Sequence, residues 1–341
     1  MIIVLKPNIT KKAEKQVLSE IRKLGYKPHV MRGVSRTVIG AIGDEQTHHT
    51  LETLTSFDQV ESVTPIQKRY KLVSREAHPA DSEIRLPNGA VIGGKEIVVM
   101  AGPCSVENEK QLMQSAEAVA EAGAKVLRGG AFKPRTSPYE FQGLGEKGLK
   151  LLRKASKATG LAVITELLSE NHADMVAEYA DILQIGTRNA QNFQLLIAAA
   201  KTGKPVLLKR GLSMKIEEWL LAGEYVLSND NPNLMFCERG IRTFETYTRN
   251  TLDLSAVPIL KQDSHCPVVI DPSQGCGRAD LVKSMCQGAI AMGADSLLIE
   301  VHPNPAEAWS DGAQQITLAG FRELMDDLKP IIAAVGRESP S

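Results

Sequence analysis

The chain has 341 residues, enough for two domains with sizeable cores. Lys plus Arg and Asp plus Glu each total 40, so no net field favours nucleic acid or an anionic membrane, and any basic site has to be local. The apolar start, residues 1–5, is too short for a signal peptide or a membrane span, and no later stretch stays uncharged long enough. A soluble cytoplasmic protein is expected. Its five scattered cysteines, at 104, 237, 266, 276 and 286, suit reduced thiols or a single ligand better than a disulfide framework.

Residues 1–66 alternate between short apolar runs and helical patterns. Strand-like runs at 2–5, 28–31, 37–42 and 60–63 are separated by a helix through Val17, Ile21 and Leu24 and by a polar helix from Glu45. That order, βαββαβ, predicts a small ferredoxin-like domain with little catalytic chemistry, one that regulates or assembles. The adjacent His48 and His49 diverge on a helix and read as surface residues rather than metal ligands. Residues 67–82 have mixed charge and no period and read as a linker. Apolar runs at 83–86 and 90–93 flank Pro87-Asn88-Gly89, a hairpin signal, and this hairpin is expected to cover one end of the second domain, 83–341.

Eight strand-like runs follow, at 97–101, 125–127, 161–165, 182–186, 205–209, 234–237, 267–270 and 296–301. Helical patterns such as 111–122, 147–159, 193–202, 216–227 and 279–292 lie between most of them. Eight such units in about 240 residues predict a (β/α)8 barrel, with a doubly wound sheet as the competing topology. The run ends deliver Cys104, Arg128 with Lys133, Glu166, Arg188, Lys209, Glu238 with Arg239, Asp271 with Gln274, and Glu300. In a barrel these converge on one mouth, whereas in an open sheet they lie along a line. Individually, Asp271 could cap a loop, Glu238 could pair with Arg239 or Arg242, and Gln184 could satisfy only backbone groups.

The most informative stretch is 127–143, where an apolar run opens into Arg128, Gly129, Gly130, Lys133, Pro134, Arg135, Thr136 and Ser137. The glycines are expected to bring backbone N–H groups close to a ligand, and the two arginines to fork phosphate or carboxylate oxygens. Arg128, Lys133, Arg135, Arg188, Lys209 and Arg239 in one pocket would repel one another unless anionic ligands, or interleaved Glu166 and Glu238, compensated them. Two phosphates, or a phosphate and a carboxylate, fit that number. Cys104, turned toward the mouth by Gly102-Pro103, joins Glu300 and Asp311 as a candidate transition-metal set.

Together these motifs carry a resemblance. Ala-Gly-Pro-Cys-Ser (101–105), Leu-Arg-Gly-Gly-Ala-Phe-Lys-Pro-Arg-Thr-Ser-Pro (127–138), Ile-Gly-Thr-Arg-Asn-Ala-Gln-Asn-Phe (185–193), Leu-Leu-Lys-Arg-Gly (207–211), Cys-Glu-Arg-Gly (237–240) and Asp-Pro-Ser (271–273) resemble the type I 3-deoxy-D-arabino-heptulosonate 7-phosphate (DAHP) synthases. The likeness is to the branch that shares its core with 3-deoxy-octulosonate 8-phosphate synthase and in which a ferredoxin-like domain precedes the barrel. It implies condensation of phosphoenolpyruvate with erythrose 4-phosphate, the first step of the shikimate pathway. Arg128, Lys133, Arg188, Lys209 and Arg239 would then hold phosphoenolpyruvate beside Glu166, with Arg135, Thr136 and Ser137 facing the sugar phosphate. Lys133 would donate the proton, and Lys133, Cys104 and Glu166 would form the catalytic set. The Lys-Pro-Arg-Thr-Ser loop favours the four-carbon sugar. A different aldose phosphate, or a non-catalytic effector-binding relative, are the alternatives.

The resemblance also implies a divalent metal (Mn, Fe, Zn or Co) on Cys, His, Glu and Asp. These map to Cys104, position 274, Glu300 and Asp311, but position 274 is Gln. Gln274 could be a weak ligand or bridge through water, Cys276 or His302 could assist, or metal dependence could be slight. Inhibition by an aromatic amino acid through residues 1–66, and assembly as a homodimer or homotetramer, are implied by the resemblance alone.

Overall fold

A computed structural model of the chain describes all residues except 8, 34, 35, 44, 65–68, 136 and 341, and all their side chains except those of 45–49. The chain divides into two units, Met1–Ala80 and Asp81–Ser341. The first contains β1 (Ile2–Leu5), α1 (Lys11–Lys23), β2 (Lys27–Arg32), β3 (Thr37–Ile42), a 3₁₀ segment (Glu45–Ser56) and β4 (Val60–Thr64). Its antiparallel sheet runs β2-β3-β1-β4, the ferredoxin-like order expected from the sequence, with the 3₁₀ segment standing where a second α-helix was expected.

The alternation of β1 and β3 turns Ile3, Leu5, Ile39 and Ala41 into a core that also takes Val17 and Ile21, four apart on α1, and Leu51 and Leu54. The Thr10 hydroxyl accepts from the Ala13 N–H and fixes where α1 starts. Past β4, Tyr70, Leu72, Val73 and Ala77 are buried, so the described part of the expected linker is not an open, solvated connector. Its mixed charge hid this. The side chains of His48 and His49 lie outside the described residues.

The second unit opens with the expected hairpin, β5 (Ile84–Arg85) and β6 (Val91–Ile92). Eight parallel strands follow: β7 (Val98–Gly102), β8 (Val126–Arg128), β9 (Ala162–Glu166), β10 (Ile182–Ile185), β11 (Val206–Lys209), β12 (Leu234–Glu238), β13 (Val268–Ile270) and β14 (Ser296–Glu300). They close on themselves, β14 pairing with β7 so that Glu300 lies opposite Gly102, which excludes the doubly wound alternative. Around them run α2 (Glu109–Glu121), α3 (Glu146–Thr159), α4 (Ala173–Tyr179), α5 (Phe193–Lys201), α6 (Ile216–Leu227), α7 (Ala256–Asp263), α8 (Pro272–Cys276), α9 (Ala279–Ala291) and α10 (Leu318–Ala334). No helix among the described residues is long and apolar enough to cross a membrane.

Inward-facing Met100, Val126, Ile164, Leu207, Met235, Val269 and Leu298 form one cluster with Ile84, Leu86, Ala90 and Ile92 of the hairpin. The Asn88 amide donates to the carbonyls of Lys125 (2.9 Å) and Gly160 (3.2 Å), which precede β8 and β9. The hairpin is thereby fastened across the N-terminal end of the barrel. Apolar packing fills that end, and the polar groups are left to the C-terminal mouth, where barrels of this type keep their sites.

Candidate functional site at the barrel mouth

A cavity of about 330 Å³ opens at the C-terminal end of the barrel, a size suited to small ligands. Arg128, Lys133, Arg135, Glu166, Arg188, Lys209, Arg239, Gln274 and Asp311 line it, so the structure brings together most of the residues expected from the sequence. Cys104 and Glu300 lie behind the wall, fully buried. Thr136 lies outside the described residues. Ser137 is not part of the wall, and its hydroxyl accepts from the Tyr139 N–H (3.3 Å).

The cations are positioned by buried acids. Arg128, at the end of β8, donates to Glu300 Oε1 (2.8 Å) and to the Cys104 carbonyl (3.3 Å). Lys209, at the end of β11, donates to Asp271 Oδ2 (2.6 Å). Both carboxylates are fully buried, so neither is free to leave its cation, and each pair is fixed in place. Asp271 has a second duty that the Asp-Pro-Ser-Gln sequence encodes: its Oδ1 accepts from the Gln274 N–H (2.8 Å), capping α8 with Pro272 in the first turn. Lys133 reaches in from the β8 loop to the Cys104 carbonyl (3.1 Å) and Sγ (3.0 Å). Burial works against its proton, but Cys104 and Glu300 outweigh this and the ammonium is held charged.

Arg239 is different. Its guanidinium is buried, yet its acceptors are neutral, Gln274 Oε1 at 2.9 Å and the Gly240 carbonyl at 3.5 Å. Burial pushes its pKa down, and Asp271 only partly offsets this. Glu166 moves the other way: loss of hydration raises its pKa against the pull of Lys133, Lys209, Arg128 and Arg188. Its carboxylate leans on Gly186, where a Cβ would lie 1.9 Å from Oε1, so any larger residue would push Glu166 out of this position. Gln184 does more than satisfy backbone groups, since it lines the cavity with its Nε2 3.4 Å from Glu166 Oε2.

Three expectations change. The Gly129 and Gly130 N–H groups do not face a ligand: they donate to the carbonyls of Ile164 (3.4 Å) and Cys104 (3.2 Å), extending the barrel pairing. Glycine is needed at 130 because a Cβ would sit 2.7 Å from Lys133 Cδ and 2.9 Å from the Cys104 carbonyl oxygen. Glu238 hydrogen-bonds no cavity cation and pairs with neither Arg239 nor Arg242, so it supports Arg239 only through its charge at a distance. It accepts from Arg210 (2.9 Å) and from the Gly240 N–H (2.6 Å), turned away from the cavity, and Asp253 completes the network. Arg242, Arg249 and Asn250 also line the mouth, on the loop between β12 and α7, and sequence reasoning missed them. That loop has no periodic pattern to mark a wall residue. The charged Arg249 beside the polar Asn250 was the available signal.

Cys104, Glu300 and Asp311 offer one donor atom each, all within 4.8 Å of one another. The loop after β14 is pulled onto the loop after β7 by contacts that include the Ser105 and Ser310 hydroxyls at 2.8 Å, Cys104 N–H to Gln315 Oε1 at 3.1 Å, and Trp309 N–H to Glu107 Oε1 at 2.8 Å. One thiol and two carboxylates fit a divalent transition ion. Without a cation the thiol is strongly disfavoured as a thiolate, since burial, Glu300 and Asp311 push it up to about 12 against Lys133 and Arg128.

Gln274 presents its amide nitrogen to this group, donating to Glu300 Oε1 (3.0 Å) and Asp311 Oδ2 (3.4 Å), while its oxygen accepts from Arg239. Reversing the amide would set donor against donor at Arg239 and acceptor against acceptor at both acids. Gln274 as it stands therefore braces two acids of the candidate metal group. Neither Cys276 nor His302 faces the group. The Cys276 thiol donates to the carbonyls of Pro272 and Arg278, and His302 Nε2 meets Glu107 at 3.3 Å.

Fold and site together define a (β/α)8 barrel whose mouth gathers cations for small, multiply charged anions beside a candidate metal group. The DAHP synthetase I family model matches residues 76–334, and that of the DAHP synthase ferredoxin-like domain matches 1–68. The chain belongs to the DAHP synthetase I family. It is 51% identical over 336 residues to a phospho-2-dehydro-3-deoxyheptonate aldolase of Thermotoga maritima, covering 98% of this chain and 99% of the relative. A 2-dehydro-3-deoxyphosphooctonate aldolase of Caulobacter vibrioides is 31% identical over 269 residues, covering 72% and 92%. The crystal structure of the Thermotoga maritima phospho-2-dehydro-3-deoxyheptonate aldolase (DAHP synthase) superposes with a TM-score of 0.79 at 50% identity, covering 99% of this chain and 98% of that one. A truncated 3-deoxy-D-arabino-heptulosonate 7-phosphate synthase from the same organism gives 0.74 at 49%, covering 79% and 99%.

Proposed function

We propose that the protein condenses phosphoenolpyruvate with erythrose 4-phosphate and water to give 3-deoxy-D-arabino-heptulosonate 7-phosphate and phosphate. The observation that carries this reading is Arg239, a buried cation at the cavity wall with only neutral hydrogen-bond acceptors, which an anionic ligand would complete. Arg128, Lys133, Arg188, Lys209 and Arg239 hold the carboxylate and phosphate of phosphoenolpyruvate, and Arg135 at the rim takes the phosphate of the aldose. Holding two anions that repel in water, and aligning the enol carbon with the aldehyde, supplies proximity and charge compensation. The enol C3 forms the new bond to the aldehyde carbon, whose oxygen takes a proton from Lys133. Water adds at C2 and gives up one proton, which restores the Lys133 ammonium. The new hydroxyl then loses its proton to the departing phosphate as the C2–O bond breaks, leaving the C2 ketone and a phosphate that keeps the bridging oxygen. Glu166, kept near the reacting carbons by Gly186 and Gln184, orients that water.

Cys104, Glu300 and Asp311 would hold a divalent transition metal, with Gln274 as donor to two of them. A metal bound there supplies Lewis acidity toward the aldehyde oxygen. Three ligands bind more weakly than four. Gln274→His exchanges the bracing amide for a fourth ligand and should raise zinc affinity at least about tenfold, read by competition with a chromophoric chelator. Unchanged affinity would contradict the three-ligand assignment. All lining residues of this cavity come from the second unit, which is consistent with a regulatory role for the first, with its ferredoxin-like sheet.

The function is tested by phosphate release from phosphoenolpyruvate with a panel of aldose phosphates. Release with erythrose 4-phosphate, and far less with pentose phosphates, is expected. Preference for a five-carbon aldose moves the protein to the octulosonate type, and no release with any aldose ends the proposal.

A further inference from the structure

The cavity cations meet carboxylates on different terms, Arg249 reaching Asp311 Oδ1 of the candidate metal group at 3.3 Å. The partners of Arg128 and Lys209 are fully buried and come from other strands. The partner of Arg135 is Glu140, five residues along the same loop, with its side chain 42% exposed. The contact is two-pronged, Arg135 Nε to Oε2 at 3.3 Å and Nη2 to Oε1 at 3.0 Å, which is the geometry a phosphate would use on the same fork. Glu140 also accepts weakly from the Ser137 N–H (3.4 Å), and both Glu140 and Arg135 line the cavity. A carboxylate in the wall of an anion site opposes its ligand unless it can leave. Glu140 can leave, because water solvates it as soon as the fork is taken.

We propose that Glu140 is a displaceable internal anion: it occupies the Arg135 fork in the free protein and yields it to the phosphate of the aldose. It thereby keeps that phosphate weakly held and the fork preformed. This rests on the condensation reading for the identity of the incoming phosphate, though not for the competition itself. Because the aldose phosphate and its product leave through the same rim, a weak outer phosphate contact favours turnover over retention.

The test uses the full chain saturated with phosphoenolpyruvate, titrated calorimetrically with glycerol 3-phosphate, a phosphate monoester with no aldehyde to react. Glu140→Gln removes the competing charge at constant size and should tighten glycerol 3-phosphate about two- to fivefold, the range of an exposed ion pair. KM for erythrose 4-phosphate should fall in parallel, with KM for phosphoenolpyruvate unchanged. Glu140→Asp, which keeps the charge, should remain close to the parent. Unchanged or weaker glycerol 3-phosphate binding in Glu140→Gln overturns the proposal, because a carboxylate that merely supports the loop or touches the sugar would give that result. Tighter binding without condensation in the parent protein would uphold the displaceable anion and end the condensation reading.

Discussion

Lys133→Met should lower the rate of condensation by about 10²–10⁴-fold while leaving the fold intact, because it removes the cavity ammonium proposed to give up a proton to the aldehyde oxygen. The ammonium is fixed by the Cys104 carbonyl and sulfur at 3.1 and 3.0 Å, and its aliphatic stem passes over Gly130. Methionine keeps an apolar stem of similar length over that glycine, so circular dichroism and thermal unfolding should show little change. Phosphoenolpyruvate should still bind, weakened by the loss of one of five charges, and calorimetry separates this from the larger loss in turnover. A variant retaining a tenth of the parent rate would take the proton-donor role away from Lys133.

Lys209→Met should cost stability as well as binding. Asp271 would be left fully buried with its 2.6 Å partner gone, and breaking a buried pair from one side typically costs about 3–5 kcal/mol. For a domain of this size that corresponds to a fall in Tm of roughly 6–15 °C. The Lys209→Met/Asp271→Asn double variant removes the orphaned charge, and asparagine can still accept from the Gln274 N–H at the start of α8. Most of the lost stability should return, whereas phosphoenolpyruvate binding should not. Recovery of both would show that Lys209 serves only to neutralise Asp271. Recovery of neither would place the damage in the α8 cap.

Those two variants depend on residues that were legible in the chain. Arg128, Lys133, Glu166, Lys209, Arg239 and Glu300 each stand at or just past the end of an apolar run, and the alternation of runs and helices predicts a closed barrel, so convergence follows from topology. The hairpin could be read because Asn-Gly between two apolar runs has few other solutions. Where the reading failed, the missing information was three-dimensional. Glu238 looked like a cavity acid, but its true partner Arg210 lies 28 residues earlier, on the neighbouring strand end. Gly129 and Gly130 looked like a ligand cradle, and the register with β9 and the Cys104 loop uses their N–H groups instead. Arg242 and Arg249 sit on a loop without period, and only the folded path of 239–255 turns them to the mouth. At Gln274 the substitution was visible at once, yet which end of the amide faces the acids depends on Arg239, a residue 35 positions away.

The account rests on phosphoenolpyruvate and an aldose phosphate meeting in one cavity, with bond formation at C3 and water entering at C2. Reaction in ¹⁸O-labelled water, with mass analysis of the phosphate released, tests this directly. The predicted result is one unlabelled phosphate per erythrose 4-phosphate consumed and none without the aldose. Label in the phosphate, or release that does not require the aldose, would mean hydrolysis at phosphorus and would contradict the account.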